Sequence, residues 1–145
     1  MRNLRNSRLG FTLVELLIVI IVIAVLAAIA IPKFVNSSAR SKEASLHADL
    51  KLCRDAVELF HNDTGAYPAV LTDLAATAAP ANGKDSTGAS YAITASNWKG
   101  PYLASVPNDP VASAALTYSI TSPTVGQVNA TASGNDSAGV PFSSY

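Results

Sequence analysis

Gly10-Phe11-Thr12-Leu13-Val14-Glu15-Leu16-Leu17-Ile18-Val19-Ile20 opens the stretch that decides the fold. It begins a run of 21 residues, Phe11 to Ile31, interrupted only by the polar side chains of Thr12 and Glu15. A helix crosses a ~30 Å hydrocarbon core with about 20 mostly apolar residues, so this run can span a membrane. The segment before it, residues 1–10, carries Arg2, Arg5 and Arg8 and no acid, and no further basic residue follows until Lys33. That asymmetry holds the N-terminus on the cytoplasmic side. Ala28-Ile29-Ala30 resembles a small-x-small signal cleavage site. An ordinary secretory signal core, however, runs only ~7–15 residues and carries no carboxylate. With no cysteine near the end of the run, a lipoprotein signal is excluded.

Glu15 is the most informative residue. A carboxylate inside a membrane helix is costly and usually has a partner, yet the run contains no basic side chain. One cation would become available if the chain were cut just before Phe11. The new α-amino group would lie one helical turn from Glu15, within the same chain or offered by a neighbour. The competing explanation is a Glu15 hydrated among the headgroups.

Gly10-Phe11-Thr12-Leu13-Val14-Glu15-Leu16 resembles the cleavage and methylation motif of type IV prepilins and their secretion-system relatives. The resemblance implies peptidase cleavage between Gly10 and Phe11, N-methylation of Phe11, and a role for Glu15 in pairing with the N-terminal amine of an adjacent subunit during assembly. Pro32 falls where many pilins carry a helix-kinking proline. The implied partners are further copies of the chain, a prepilin peptidase/methyltransferase, an inner-membrane assembly platform with its ATPase, and membrane lipid before assembly. The implied location is the bacterial inner membrane, single-pass with the N-terminus cytoplasmic, and then an extracellular or periplasmic filament.

Beyond Pro32, which removes a backbone donor and favours a kink or local melting, helix formers continue to about Asn62. Ala39, Leu46, Leu50, Cys53, Val57 and Phe60 recur at helical spacing and define one apolar face. Lys42, Asp49, Lys51, Asp55 and Glu58 lie mostly away from it. A helix from Phe11 to Asn62 would be ~78 Å long if Pro32 only bends it. Asn62-Asp63-Thr64-Gly65, followed by Pro68, supplies the stop signal. Cys53, on the apolar face, reads as a small core hydrophobe. His47 and His61 have no carboxylate pattern around them and read as solvated surface residues.

From Gly65 onward Ala, Ser, Thr, Gly and Pro dominate. Residues 75–90 read as a loop, with a short helical turn around Leu71 to Ala76. Three segments alternate well enough for strands: Ser90–Thr94, Leu116–Thr121 and Gln127–Thr131. The predicted fold class is α+β, a long N-terminal α-helix packed on a small antiparallel β-sheet. The organisation is a leader (1–10), a transmembrane and assembly helix (11–31), its amphipathic continuation (32–62) and a loop-rich globular domain (63–145).

Gly65-Ala66-Tyr67-Pro68, together with Gly100-Pro101-Tyr102-Leu103 and Val106-Pro107-Asn108-Asp109-Pro110, resembles the major pseudopilin of type II secretion. Major pseudopilins close their C-terminal loop around calcium with several acids, and many type IV pilins close theirs with a disulfide. This chain has one cysteine, and its tail Ser133 to Tyr145 has one acid, whereas calcium takes ~6–8 oxygen ligands. Asp109, Asn135 and Asp136 with backbone carbonyls are the residues from which a calcium site could be built. The expectation is no cofactor, with the tail held by packing of Val140, Phe142 or Tyr145.

Composition agrees with a structural role. In 145 residues, 49% are hydrophobic and 14% charged, with a net charge of +0, so there is no basic excess of the kind nucleic-acid binders carry. A lone cysteine excludes an intrachain disulfide framework and Cys-based zinc clusters. The chain has no Gly-x-Ser-x-Gly elbow and no phosphate-binding loop, so an enzyme is not expected and any motor must be a partner. Removing the leader would leave 7 basic against 10 acidic side chains. The function expected is a subunit of a type IV pilus or a type II secretion pseudopilus. The alternative is a membrane-anchored binding domain that never polymerises.

Overall fold

A computed structural model describes residues 11–145. One helix, α1 (Leu13–Thr64), accounts for the whole N-terminal part. The chain divides after Ser38 into two units, taken in turn below.

The first unit is α1 up to Ser38. Its side chains are apolar on every face and almost all exposed, from Phe11 at 83% and Leu13 at 91% to Phe34 and Val35. A helix that is hydrophobic all round belongs in lipid or inside an assembly, not in water. The helical assignment runs unbroken through Pro32, so the local melting considered from sequence does not occur. Proline there forgoes only the one bond its N–H would give to the preceding turn.

The second unit, Ala39–Tyr145, is built on the rest of α1. Leu46, Leu50, Cys53, Val57 and Phe60 are buried as their spacing predicts, and Ala56 joins them. Burying a side chain the size of Leu or Phe contributes ~1.5–3 kcal/mol, so this stripe is a large contributor to the unit's stability. Ala39 is exposed, contrary to expectation. It has the right spacing, but nothing in the unit covers that turn of the helix.

The helix stops two residues later than predicted. Gly65 takes φ +74, which only glycine adopts without strain, and its N–H closes back on the His61 carbonyl at 2.8 Å. Thr64 helps: its hydroxyl donates to the Phe60 carbonyl at 2.7 Å and accepts from the Ala66 N–H at 3.3 Å. A 3-10 turn follows at Leu71–Ala75, where the sequence predicts one.

The strands form three antiparallel two-stranded ribbons. β1 (Asn82–Lys84) pairs with β2 (Ser90–Ala92), β3 (Asn108–Asp109) with β4 (Ala114–Ala115), and β5 (Thr117–Tyr118) with β6 (Val128–Asn129). The sheet layer is thus divided, and its strands are shorter than the three segments read from alternation. Side chains supply what the ladders lack, because Asp, Ser and Thr bonds to the backbone compete with regular pairing. β1 lies inside the stretch read as a loop. It forms by pairing with β2, and Lys84 also exchanges two 2.7 Å backbone bonds with Tyr67. Gly83 permits that approach: a Cβ there would stand 2.5 Å from the Tyr67 carbonyl oxygen. Leu71, Leu74, Leu103, Leu116, Val128 and Phe142 complete the core against α1. Arg54 locks the layers together, its Nε and Nη2 donating to the Val128 carbonyl at 2.9 and 2.7 Å.

Candidate functional site

The residues singled out at the head of the apolar helix fall on both sides of the described boundary. Gly10, before the expected cut, and the leader arginines Arg2, Arg5 and Arg8 lie outside the described residues. Phe11 and Thr12 precede α1, and Glu15 is its third residue. Thr12 and Glu15 form a capping box. Oε2 of Glu15 accepts the Thr12 backbone N–H at 2.8 Å and its hydroxyl at 3.0 Å. In return, the Glu15 N–H donates to Thr12 Oγ1 at 3.2 Å. The first N–H groups of a helix have no intrahelical acceptor, and a Thr-x-x-Glu pair satisfies two donors reciprocally. A negative charge in the first turn also complements the helix dipole. Sequence reasoning missed Thr12, although Thr-x-x-Glu before an apolar run is a readable signal. Among the described residues, Oε1 of Glu15 has no hydrogen-bond partner, so one oxygen serves the chain's own cap while the other is open.

Two of the three segments after the helix that carried the second resemblance are joints of the fold. Ala66 and Pro68 are buried, and the Pro68 carbonyl accepts the Tyr118 hydroxyl at 2.8 Å. Tyr102 donates its hydroxyl to Asp63 at 2.9 Å, while the backbone N–H groups of Tyr102 and Leu103 both bind the Leu74 carbonyl. Burial foremost, with the neighbouring Asp63, holds the Tyr102 phenol above its usual range.

The two acidic calcium candidates are engaged separately, and Asn135 takes part through its backbone. Asp109 is fully buried. Its Oδ1 accepts the N–H groups of Val111 and Ala112 at 2.8 and 2.9 Å, and its Oδ2 those of Thr131 and Ala132 at 2.9 and 2.8 Å. Burial alone would raise its pKa, but the four donors outweigh it and hold the carboxyl below the usual aspartate value. Asp136 accepts the N–H groups of Ala138 and Val140, both at 2.8 Å, and the Tyr145 hydroxyl. Asn135 forms an isolated backbone bridge with Pro141. Among the described residues, no three His, Cys, Asp or Glu side chains gather as a metal would require.

His47 is exposed, as the sequence suggests, and His61 half-buried, and each also packs on an aromatic ring. The His47 ring packs on Tyr145 and the His61 ring stacks on Tyr67, each at 4.2 Å between centroids. Cys53 is buried, and burial foremost pushes its thiol pKa up, as suits an inert core residue. Of the three residues proposed to hold the tail, Phe142 is buried and Tyr145 packs against the core, but Val140 is 42% exposed. Val140 contributes its backbone to the Asp136 turn and leaves its side chain outside.

Comparison with known proteins agrees with both ends of the chain. Residues 5–31 match the prokaryotic N-terminal methylation motif, and residues 33–140 match type II secretion system protein G. The type IV major pilin protein PilA of Myxococcus xanthus is 45% identical over 65 residues, 45% of this chain and 29% of that one. The type II secretion system core protein G of Pseudomonas aeruginosa is 28% identical over 107 residues, 73% of this chain and 70% of that one. The type IV wide pilus major component PilA4 of Thermus thermophilus is 38% identical over 82 residues, 54% of this chain and 62% of that one. The chain therefore spans less than a third of the length of the Myxococcus pilin it matches. No solved structure matches it significantly.

Proposed function

We propose, from the premise that this chain belongs to the type II secretion system protein G family, that it is a structural filament subunit of the pseudopilus type. It is made with a leader ending at Gly10, cut between Gly10 and Phe11, and methylated on the new amino group of Phe11. It waits in the inner membrane on the apolar half of α1 with its N-terminus at the cytoplasmic face. It then leaves the lipid by packing that half-helix against further copies.

The observation that carries this reading is the first unit of the helix: apolar on every face, almost all exposed, with Glu15 as its sole ionisable group before Lys33. Such a surface is stable in lipid or against copies of itself, and a lone carboxylate within it calls for a cation. Oε1 of Glu15, without a partner among the described residues, suits the α-amino group of a neighbouring Phe11, while Oε2 keeps the helix cap. The Pseudomonas core protein G and the Myxococcus and Thermus pilins support assembly as a structural rather than enzymatic task. The family match over residues 33–140 favours the secretion branch over a surface pilus. A peptidase/methyltransferase, an assembly platform and its ATPase are the partners this course requires.

Glu15→Leu separates this reading from a membrane-tethered domain that never polymerises. With the secretion machinery present, the variant should fractionate with membranes as the wild type does but be missing from sheared filaments. Filaments of normal yield would favour the tethered domain.

A further inference from the structure

The resemblance to major pseudopilins implies a calcium ion in the C-terminal loop, and the loop's own atoms test whether one fits. Between Ser133 and Tyr145 the only acidic side chain is Asp136. Both N–H groups at its Oδ1 and the Tyr145 hydroxyl at its Oδ2 present hydrogens to those oxygens. Glu43 of α1 is the other carboxylate bound to the loop, and Ser137 occupies it. The Ser137 N–H meets Oε1 at 2.9 Å and its hydroxyl meets Oε2 at 2.6 Å.

Several loop carbonyls are engaged as well. Gly134 accepts from Phe142 at 3.0 Å, Val140 from Asp136 at 2.8 Å, and Pro141 from Ser144 at 3.0 Å. Calcium needs ~6–8 oxygens with lone pairs turned inward at 2.3–2.6 Å. An oxygen ringed by N–H and O–H donors offers the opposite field. These residues do not fit a calcium ion.

We infer that the C-terminal loop of this chain closes without calcium, through a clasp in which Asp136 holds Tyr145 and the loop amides while Glu43 of α1 holds Ser137. Packing completes the clasp. The Tyr145 ring lies on His47 from α1 at 4.2 Å and meets the buried Phe142 edge-on at 5.6 Å. The charge requirement that a cation would meet is met by donors the chain carries itself. The last segment of the domain is therefore set independently of calcium supply, whether or not the chain polymerises.

The test uses the full-length protein in detergent micelles, unfolded by heat in calcium chloride or in EGTA, with tail cleavage by a protease followed in parallel. The clasp predicts one midpoint in both solutions. Tyr145→Phe keeps the ring and removes only the hydroxyl. It should lower the midpoint by about 2–8 °C in either solution and speed cleavage within residues 133–145. A wild-type midpoint that rises with calcium chloride and falls with EGTA overturns the inference. A Tyr145→Phe loop cut no faster than the wild type overturns it as well.

Discussion

Oε2 of Glu15 stands 2.8 Å from the backbone nitrogen of Thr12 and 3.0 Å from its hydroxyl. The residue that the assembly reading assigns to a contact between chains thus already has work within its own. Its carboxylate starts the helix on which assembly depends, so removing it confounds two effects. A substitution that separates them is needed.

Glu15→Gln does so. A capping box accepts Gln as well as Glu at this position, so the amide oxygen can still take the Thr12 donors. Helix content in micelles and membrane insertion should match the wild type. Without the charge, the sheared filament fraction should fall to the background of a peptidase-deficient strain. Normal filament yield from Glu15→Gln would mean that the residue acts only as a cap.

Asp109 should prove the most sensitive polar position in the domain. Asp109→Asn turns an amide NH2 towards backbone donors and leaves two of the four part-buried N–H groups without an acceptor. At ~1–3 kcal/mol for each unsatisfied group, the loss is roughly 2–6 kcal/mol in urea unfolding at neutral pH. The pH dependence follows from the depressed carboxyl. Its contribution is complete above the ordinary value of 3.8 and is lost as pH falls below that towards the folded pKa. The wild type should lose stability over that acid window, and the variant should lose less.

Tyr145 gives a second pH signature at the alkaline end. Its hydrogen bond to Asp136 foremost raises the phenol from 10.0 to about 12. A raised folded pKa means a contribution fully present below pH 10 and lost as pH climbs from there towards 12. Cleavage within residues 133–145 should accelerate through that window in the wild type. In Tyr145→Phe it should be fast already and flat across it. A flat wild-type profile would contradict the hydrogen bond.

The elements legible in the sequence are those written in local periodicity. The Phe11–Ile31 run, the stripe from Leu46 to Phe60 and the stop before Gly65 each need only neighbouring residues to define them. Ala39 shows where that logic ends: spacing places it on the face, but only the domain's extent decides whether anything covers it. The ribbons were harder to read because each strand is two or three residues long and is positioned by remote contacts. Asp109 gathers amides from residues 111, 112, 131 and 132, and Arg54 reaches a carbonyl 74 residues away. The tilted contact of His47 with Tyr145 joins one end of the domain to the other, and no local pattern encodes it. At the candidate site, Glu15 stood out by its cost in lipid, and that same prominence hid its ordinary partnership with Thr12.

The most direct test of the filament account is the intact mass and N-terminal sequence of the protein recovered from membranes and from sheared filaments. The account predicts a chain that begins at Phe11 with a methylated α-amino group. A chain beginning at Ile31, released by ordinary signal cleavage after Ala30, would contradict it, because the apolar helix and Glu15 would then be discarded before any filament could form.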